Sequence, residues 1–224
     1  MKKLLSLITA LLLCCAPALA EELFATVTIC DSSRTMVAGM QPVTVTDADG
    51  DGALTIADAL SCFHAAYHPD GAAAFSAVPS EHGLSLVKLW GEENGGAFGY
   101  CVNHMPAMSL QDPIDDGAHI TAYAYSDTVA YSDLYCYFDV DGLILPAGTP
   151  LTLTLVANSY DANWNPVVVP VVGATLVLQG AETECITNEY GEATITIDQP
   201  GEYVISAVSA TQTLVPPACF LTVE

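Results

Sequence analysis

The chain has 224 residues, of which 52% are hydrophobic and 13% are charged. Four Lys or Arg stand against 26 Asp or Glu, so the formal net charge is −22 at pH 7. A chain with so few cationic groups cannot neutralise nucleic-acid phosphates or be held at an anionic membrane surface, which excludes both classes of partner. Cations are its natural counterpart, and the acidity also favours solubility.

Residues 1–20 have the pattern of a secretory signal peptide. Lys2 and Lys3 give a positive start, Leu4–Cys15 is apolar, and Ala18–Ala20 offers small residues for cleavage directly after the tripeptide. A lipoprotein interpretation is disfavoured, because bulky Leu11–Leu13 precedes the candidate cysteines. This apolar stretch is too short to span a bilayer and no later run is long enough. We therefore expect a secreted, extracellular protein with no membrane insertion after cleavage. The cell surface is the alternative location, although the sequence shows no anchor.

Residues 21–142 combine strand and helix patterns and are predicted to form one α+β domain. Alternating apolar residues predict half-buried strands, and apolar residues at three- and four-residue steps predict an amphipathic helix. In chain order, the expected strands are Phe24–Cys30, Val43–Thr46, Leu84–Trp90, Phe98–Val102 and His119–Tyr125, and the expected helix is Ile56–Tyr67. This order indicates one helix on one sheet.

The most specific motif lies between the second strand and the helix, in the 12-residue acidic loop from Asp47 to Asp58. Calcium loops of this length place oxygen ligands at positions 1, 3, 5, 7, 9 and 12, with a glycine at position 6 for a sharp turn. Gly52 occupies position 6. The predicted ligands for Ca²⁺ are Asp47, Asp49, Asp51, the Ala53 carbonyl, Thr55 through a water molecule, and Asp58. The alternative is an acidic surface turn without an ion.

The last position of the loop departs from the usual pattern, because Asp58 replaces glutamate. The shorter side chain indicates modest affinity, which is adequate outside cells where calcium is abundant. An aspartate there is similar to the calcium loop of cellulosomal dockerins, but those domains carry a duplicated loop and helix, and the sequence shows no second copy. Asp139–Gly142 starts in the same way and then becomes apolar, so we expect a solvated turn there.

His64 and His68 are four residues apart on the predicted helix, a spacing that can hold a metal ion. Ala65 stands where a metalloprotease motif needs glutamate, and His68 lies at the helix end, where histidine is a natural cap. Structural roles are therefore favoured. The sequence has no nucleophile elbow, phosphate-binding loop or dinucleotide fingerprint. We expect no enzyme activity, with an unrecognised secreted hydrolase as the remaining alternative.

Aromatic residues are dense in the predicted first domain. On one exposed face they would suit stacking with a sugar or another ring, whereas strand propensity favours packing in the core. We favour core packing. The residues are Trp90, Tyr100, Tyr123, Tyr125, Tyr131, Tyr135 and Tyr137.

Residues 143–224 are predicted to form a second, all-β domain. The composition changes near residue 142 to Val, Thr and Pro with alternating apolar residues, and Pro146–Pro150 resembles a junction. Short strands separated by turn residues at this spacing indicate a β-sandwich. The expected strands are Leu151–Val156, Ala174–Leu178, Ala193–Ile197, Tyr203–Val208 and Cys219–Val223.

Six cysteines remain after the signal peptide, and an even number in an exported chain indicates disulfides, with 15 possible connectivities. They are Cys30, Cys62, Cys101, Cys136, Cys185 and Cys219. Four precede residue 140 and two follow it. We therefore expect Cys185 to pair with Cys219, and the first four cysteines to pair among themselves. Their spacing does not match a zinc site.

Three segments of the first domain resemble bacterial domains related to the C-terminal domain of transcobalamin. Gly99–Asn103 is similar to the Tyr-x-Val-Asn segment of that family, Leu110–Tyr123 to its turn into a final strand, and Thr55–Leu60 to the start of its helix. Ala118 departs from the family, which often has Asp there. The resemblance covers about residues 24–138. It implies a β-grasp-like fold and a small ligand of the corrinoid type.

The second domain resembles bacterial immunoglobulin-like surface modules in Gly173–Leu178, Thr187–Ile195 and Pro200–Ala207. Such modules act as spacers or as binding modules and do not catalyse reactions. The sequence therefore favours a secreted, non-catalytic, calcium-binding module that interacts with an extracellular polymer, such as a glycan, or with a protein. The alternative is a carrier of a small, corrinoid-type ligand.

Overall fold

The structure is a computed structural model that describes residues 22–81, 83–163 and 165–224. The predicted signal peptide lies outside these residues, as do His82 and Trp164. In the described part of the chain, no helix is both long and apolar enough to cross a bilayer.

The N-terminal domain consists of a mixed sheet, a separate hairpin and a helix. Its strands are β1 (Glu22–Cys30), β2 (Met36–Thr46), β3 (Ser76–Ser80), β4 (Gly83–Lys88), β5 (Phe98–Val102), β6 (Met105–Pro106) and β7 (Ala118–Ala124). The helix α1 is Ile56–Tyr67, and short 3₁₀ turns occupy Gly71–Ala74 and Asn94–Gly96. The helix has the predicted bounds, and each predicted strand overlaps an observed one.

The mixed sheet has the order β2-β1-β7-β5-β6. The first and last strands of the domain, β1 and β7, pair in parallel at its centre, and the other pairs are antiparallel. One stripe of α1, with Ile56, Leu60 and Phe63, packs into the same core as Val27 and Ile120 of the sheet. The domain is therefore α+β with a helix on a sheet. Kinship with the transcobalamin-related domains stays a prediction.

The strands on either side of the turn at residues 91–96 do not pair with each other. Strand β4 pairs with β3 in a separate two-stranded sheet, whereas β5 pairs with β7 and β6. Strand β3 was not predicted, because Ser76–Ser80 contains alanine, serine and proline, which have low strand propensity.

The C-terminal domain is an all-β immunoglobulin-like sandwich. Its strands are β8 (Leu134–Phe138), β9 (Gly142–Leu145), β10 (Pro150–Tyr160), β11 (Pro166–Pro170), β12 (Ala174–Leu178), β13 (Ala181–Ile186), β14 (Glu192–Thr196), β15 (Gly201–Ser209), β16 (Leu214–Val215) and β17 (Cys219–Val223). One sheet has the order β11-β10-β8-β16 with β14 also on β10, and the other is β13-β12-β15-β17-β9. Alternate residues of β10, such as Leu153 and Leu155, meet Leu176 and Leu221 of the other sheet in one core.

The boundary between the domains lies earlier than the change in composition suggested. Strand β8 pairs with β10 and β16, and its Cys136 and Phe138 are buried in the core of the sandwich. These pairings place the boundary between Ala124 and Leu134, rather than at residue 142. Composition could not show this, because the partners of β8 lie further along the chain.

The two domains meet at a small apolar cluster of their own. Cys30 and Tyr123 from the mixed sheet and Val215 from β16 are each at most 6% exposed. Tyr125 and Tyr135 pack against them from the two sides of the junction. The domains are thus joined by packed side chains as well as by the linker.

Candidate functional site

The acidic loop leaves β2 at Thr46 and enters α1 at Ile56, so it joins the edge of the sheet to the helix. Gly50 and Gly52 have φ of +79° and +89°. This left-handed region favours glycine, which explains why the sixth position of the loop carries one. The sharp turn there folds the acidic segment back on itself.

Three of the predicted ligands converge in the structure. Asp47, Asp49 and Asp58 each offer a carboxylate oxygen, and these oxygens lie within 4.8 Å of one another. Asp58 is only 2% exposed, whereas Asp49 is open to solvent. The donor set consists of hard oxygens from separate positions of one loop, which is the chemistry that Ca²⁺ selects.

Backbone donors hold the first carboxylate of the loop in place. Asp47 Oδ1 accepts hydrogen bonds from the N–H groups of Gly50 (2.6 Å) and Asp51 (3.2 Å), and Asp47 Oδ2 accepts one from Gly52 (2.9 Å). The bond from Gly52, with those from Gly50 and Asp51, lowers the pKa of Asp47 although desolvation opposes it. Asp47 is therefore charged and preorganised at the start of the loop.

Asp49, the second carboxylate of the loop, lies close to several other negative charges. A hydrogen bond from the Asp51 N–H lowers the pKa of Asp49, but desolvation and the carboxylates of Asp51, Asp58 and Asp47 outweigh it, so this pKa is raised. A cation among these oxygens would remove the repulsion.

Asp58 closes the loop onto the helix. Its Oδ2 accepts hydrogen bonds from the Thr55 N–H (2.9 Å) and hydroxyl (2.6 Å), and its Oδ1 accepts one from the Ala48 N–H (2.8 Å). Thr55 also accepts a bond from the Asp58 N–H, which completes a capping box at the start of α1. One carboxylate thus links both ends of the loop.

The other predicted ligands are not among the three converging carboxylates. Asp51 Oδ1 accepts a hydrogen bond from the Ala53 N–H (2.8 Å), and the Thr55 hydroxyl is bonded to Asp58. Binding of an ion and the roles of Asp51, the Ala53 carbonyl and Thr55 stay predictions.

A neighbouring segment braces the exit of the loop. The N–H groups of Ile56 and Ala57 donate to the carbonyls of Asp112 (3.2 Å) and Leu110 (2.9 Å), and Leu54 accepts from the Ile114 N–H (3.1 Å). The first turn of a helix leaves such donors unpaired. The segment at residues 110–114 therefore supports the loop from outside it.

His64 and His68 serve structural roles in the helix. The Nδ1–H of His64 donates to the Leu60 carbonyl (2.6 Å), and its Nε2 accepts from the Trp90 N–H (3.0 Å). Nδ1 of His68 accepts from the Asp70 N–H (3.0 Å). Both ring nitrogens of His64 are in use, which agrees with the preference for structure over metal binding.

The predicted disulfides are not formed, and each of the six cysteines is a free thiol. Cys185 on β13 and Cys219 on β17 are separated by β12 and β15 in one sheet. Three strand spacings correspond to about 14 Å, well beyond the reach of a disulfide. Cys30 on β1 and Cys101 on β5 are likewise separated by β7. Spacing along the sequence could not reveal this order of strands.

The tyrosines pack mainly against one another at the junction of the domains. Tyr123 contacts Tyr125 and Tyr135 with ring centroids 5.1 and 5.9 Å apart, and Tyr131 contacts Tyr125 at 5.2 Å. Tyr131 is 54% exposed, and the others are buried or half-buried. Trp90 packs on Phe63 and the two helix histidines. The packing interpretation therefore fits better than an exposed stacking face.

Sequence reasoning missed a second group of metal-ligating side chains, formed by His104, His119 and Asp141. The two histidines were isolated in sequence, and Asp141 belonged to a turn that was expected to be solvated. Asp141 is partly exposed but lies against both imidazoles. No spacing within the chain could have indicated this, because the residues come from both domains.

Comparisons with known proteins add weak likenesses. No protein-family model and no curated protein matches the chain. Among solved structures it is similar to the N-terminal four Ig domains of Dscam1 isoform 4.44, at 12% identity over 56% of this chain and 26% of that chain, with a TM-score of 0.26. The tandem Ig repeats of Dlar match at 10% identity over 67% of this chain and 75% of that chain, with a TM-score of 0.29. Sidekick-1 immunoglobulin domains 1–4 match at 12% identity over 92% of this chain and 51% of that chain, with a TM-score of 0.25.

The chain spans about a quarter of the length of the Dscam1 fragment. Likenesses with such low TM-scores carry no argument about this chain. The assignment of the immunoglobulin-like sandwich therefore rests on its own two sheets and their shared core.

Proposed function

We propose that this protein is a secreted, non-catalytic binding module whose N-terminal domain is ordered by one calcium ion in the loop Asp47–Asp58. The convergence of Asp47, Asp49 and Asp58 at the start of α1 is the observation that supports it most directly. Ca²⁺ supplies positive charge that neutralises the crowded carboxylates and fastens β2 to α1. The partner in this proposal is an extracellular protein or a glycan polymer.

Calcium titration of the chain without residues 1–20 tests the calcium part of the proposal. We expect one ion per chain by calorimetry, and Asp49→Asn should weaken the affinity about tenfold or more, because ligand charge sets the affinity of such loops. Asp49 is the best position to change, since it is exposed and its loss leaves the helix cap intact. Asp70→Asn is the matched control, because this exposed residue lies past the other end of α1.

Equal calcium affinities of Asp49→Asn and Asp70→Asn would contradict the proposed site. Absence of calcium uptake by the unsubstituted protein would remove the ion from the function altogether and leave an acidic capping loop.

A cleft supports the second candidate, a carrier of a small ligand. It has a volume of about 560 Å³ and lies between β2 and the sheet that contains β12 and β15. This volume is in the range of small-molecule sites. Equilibrium dialysis against cobalamin, with calcium and with chelator, tests the candidate. Retention of cobalamin would support the carrier, whereas no retention in either condition would direct the search to glycans and proteins.

A further inference from the structure

Two histidines and an aspartate meet where the two domains join. His104 lies in the turn between β5 and β6, His119 lies on β7, and Asp141 lies between β8 and β9. His104 Nε2 is 2.8 Å from Asp141 Oδ1, and His119 Nδ1 is 3.5 Å from the same oxygen. The N-terminal domain thus contributes both imidazoles, and the C-terminal domain contributes the carboxylate.

His119 carries an unpaired nitrogen that faces this group. Its side chain is 5% exposed, and Nδ1 has no hydrogen-bond partner among the described residues. The 3.5 Å to Asp141 is longer than a normal N–H···O bond. Buried polar atoms nearly always have a hydrogen-bond partner or a ligand, so this nitrogen is available to one.

The outer nitrogens of both histidines are fixed by hydroxyl groups. His104 Nδ1 is 3.1 Å from the Tyr135 hydroxyl, and His119 Nε2 is 3.0 Å from Thr28 Oγ1. Tyr137 stacks on His104, with ring centroids 4.2 Å apart and planes 6° from parallel. Metal-binding histidines are oriented in this way, with one nitrogen held by a hydrogen bond and the other presented to the ion.

The spacing of the three side chains and the charge of Asp141 fit one small cation. Burial favours the neutral form of Asp141, but the hydrogen bond from His104 and the nearby His119 hold its pKa below the ordinary value. The observed separations of 2.8 and 3.5 Å bracket the roughly 3.3 Å between neighbouring ligands of tetrahedral zinc.

We propose that His104, His119 and Asp141 bind a divalent transition metal ion of the zinc type, which fastens the two domains together. Two imidazoles and one carboxylate suit such an ion, whereas Ca²⁺ and Mg²⁺ prefer oxygen ligands alone. A water molecule takes the fourth position. The site stands independently of the calcium loop, because the two share no residue.

Zinc titration of the metal-free chain without residues 1–20 tests the proposal, in excess Ca²⁺ so that the acidic loop is not available to zinc. We expect the chain to bind one Zn²⁺, and Asp141→Asn should weaken the zinc affinity about tenfold or more. Asp139→Asn is the matched control, because it lies in the same turn, loses the same charge and accepts a hydrogen bond from the Thr154 N–H. Circular dichroism without zinc checks that both variants fold.

Co²⁺ gives a second readout that a merely structural cluster would not produce. Four- or five-coordinate Co²⁺ with imidazole ligands absorbs strongly in the visible, and oxygen-only coordination in the acidic loop does not. If Asp141→Asn fails to fold, Tyr135→Phe replaces it, since loss of the bond to His104 should weaken zinc binding about tenfold and alter the Co²⁺ spectrum.

Equal zinc affinities of Asp139→Asn and Asp141→Asn would overturn the site, as would absence of zinc binding by the unsubstituted chain. Either result would leave a hydrogen-bonded cluster that joins the domains without a metal ion.

Discussion

Buried histidines differ in this protein according to which ring nitrogens have partners. In His64 one nitrogen donates to the Leu60 carbonyl and the other accepts from the Trp90 N–H, so the neutral ring is fully satisfied. In His119 one nitrogen is unpaired among the described residues and faces a carboxylate. The first arrangement is structural, and the second is open to a ligand.

Acidification should destabilise the protein through His64. Burial, with a smaller contribution from His68, lowers its pKa from 6.5 to about 4. The unfolded chain therefore binds the proton first, so the stabilisation is complete above pH 6.5 and is lost as the pH falls toward 4. The linkage amounts to about 3 kcal/mol at most. Urea unfolding of wild type and His64→Gln across this window checks it, since the variant should show a shallower pH dependence. Identical slopes would contradict the assignment.

At the scale of the elements, the loop and the helix are stabilised as one unit. Thr55 caps α1, and Asp58 bonds both to Thr55 and to the Ala48 N–H at the start of the loop. The helix therefore depends on loop residues even without an ion. Outside support comes from the carbonyls of Leu110 and Asp112, which satisfy donors of the first helical turn.

Thr55→Ala should destabilise the protein in calcium-free buffer. It removes both the acceptor for the Asp58 N–H and the donor to Asp58 Oδ2, and loss of such a cap costs about 1–2 kcal/mol. Thr55→Ser keeps the hydroxyl and is the control, with a change well below that of alanine. Chemical unfolding in the presence of chelator measures the free energy of unfolding of both variants. Equal stabilities of Thr55→Ala and Thr55→Ser would show that the capping box contributes little.

At the scale of the whole molecule, the junction connects the core of the α+β domain to the core of the β-sandwich. Val215 of β16 extends the second domain into contact with Cys30 and Tyr123 of the first. The adjacent Pro216 carbonyl accepts a weak hydrogen bond from the Cys30 thiol. Burial raises the pKa of Cys101 to about 12, so this nearby thiol stays protonated and unreactive.

Val215→Ala should weaken the junction. Val215 is 3% exposed, and deletion of its buried methyl groups costs roughly 1–3 kcal/mol. Val208→Ala on β15 is the matched control, because its side chain is 39% exposed and its loss should change stability far less. Differential scanning calorimetry compares the two variants. If the junction contributes to stability, Val215→Ala loses more thermal stability than Val208→Ala, and equal losses would contradict this.

Local patterns were sufficient for many elements. The three- and four-residue spacing of Ile56, Leu60 and Phe63 predicted α1 with its observed bounds, because a helix that packs on a sheet must repeat its apolar face at that period. Alternation predicted the strands that face a core. Strands β9 and β11 were missed because Gly142–Leu145 and Pro166–Pro170 are continuous apolar runs without polar alternation, and β13 was missed because Ala181–Ile186 is largely exposed.

The sequence by itself determined the acidity, the α+β and all-β halves, and the acidic loop, because each depends on residues close together in the chain. Only the tertiary structure decided the pairing of β8 with the second domain, the separation of Cys185 from Cys219, and the meeting of His104 and His119 with Asp141. These features depend on the order of strands in the sheets and on the contact between the domains. Both are set by the packing of apolar surface over long separations, which no local pattern encodes.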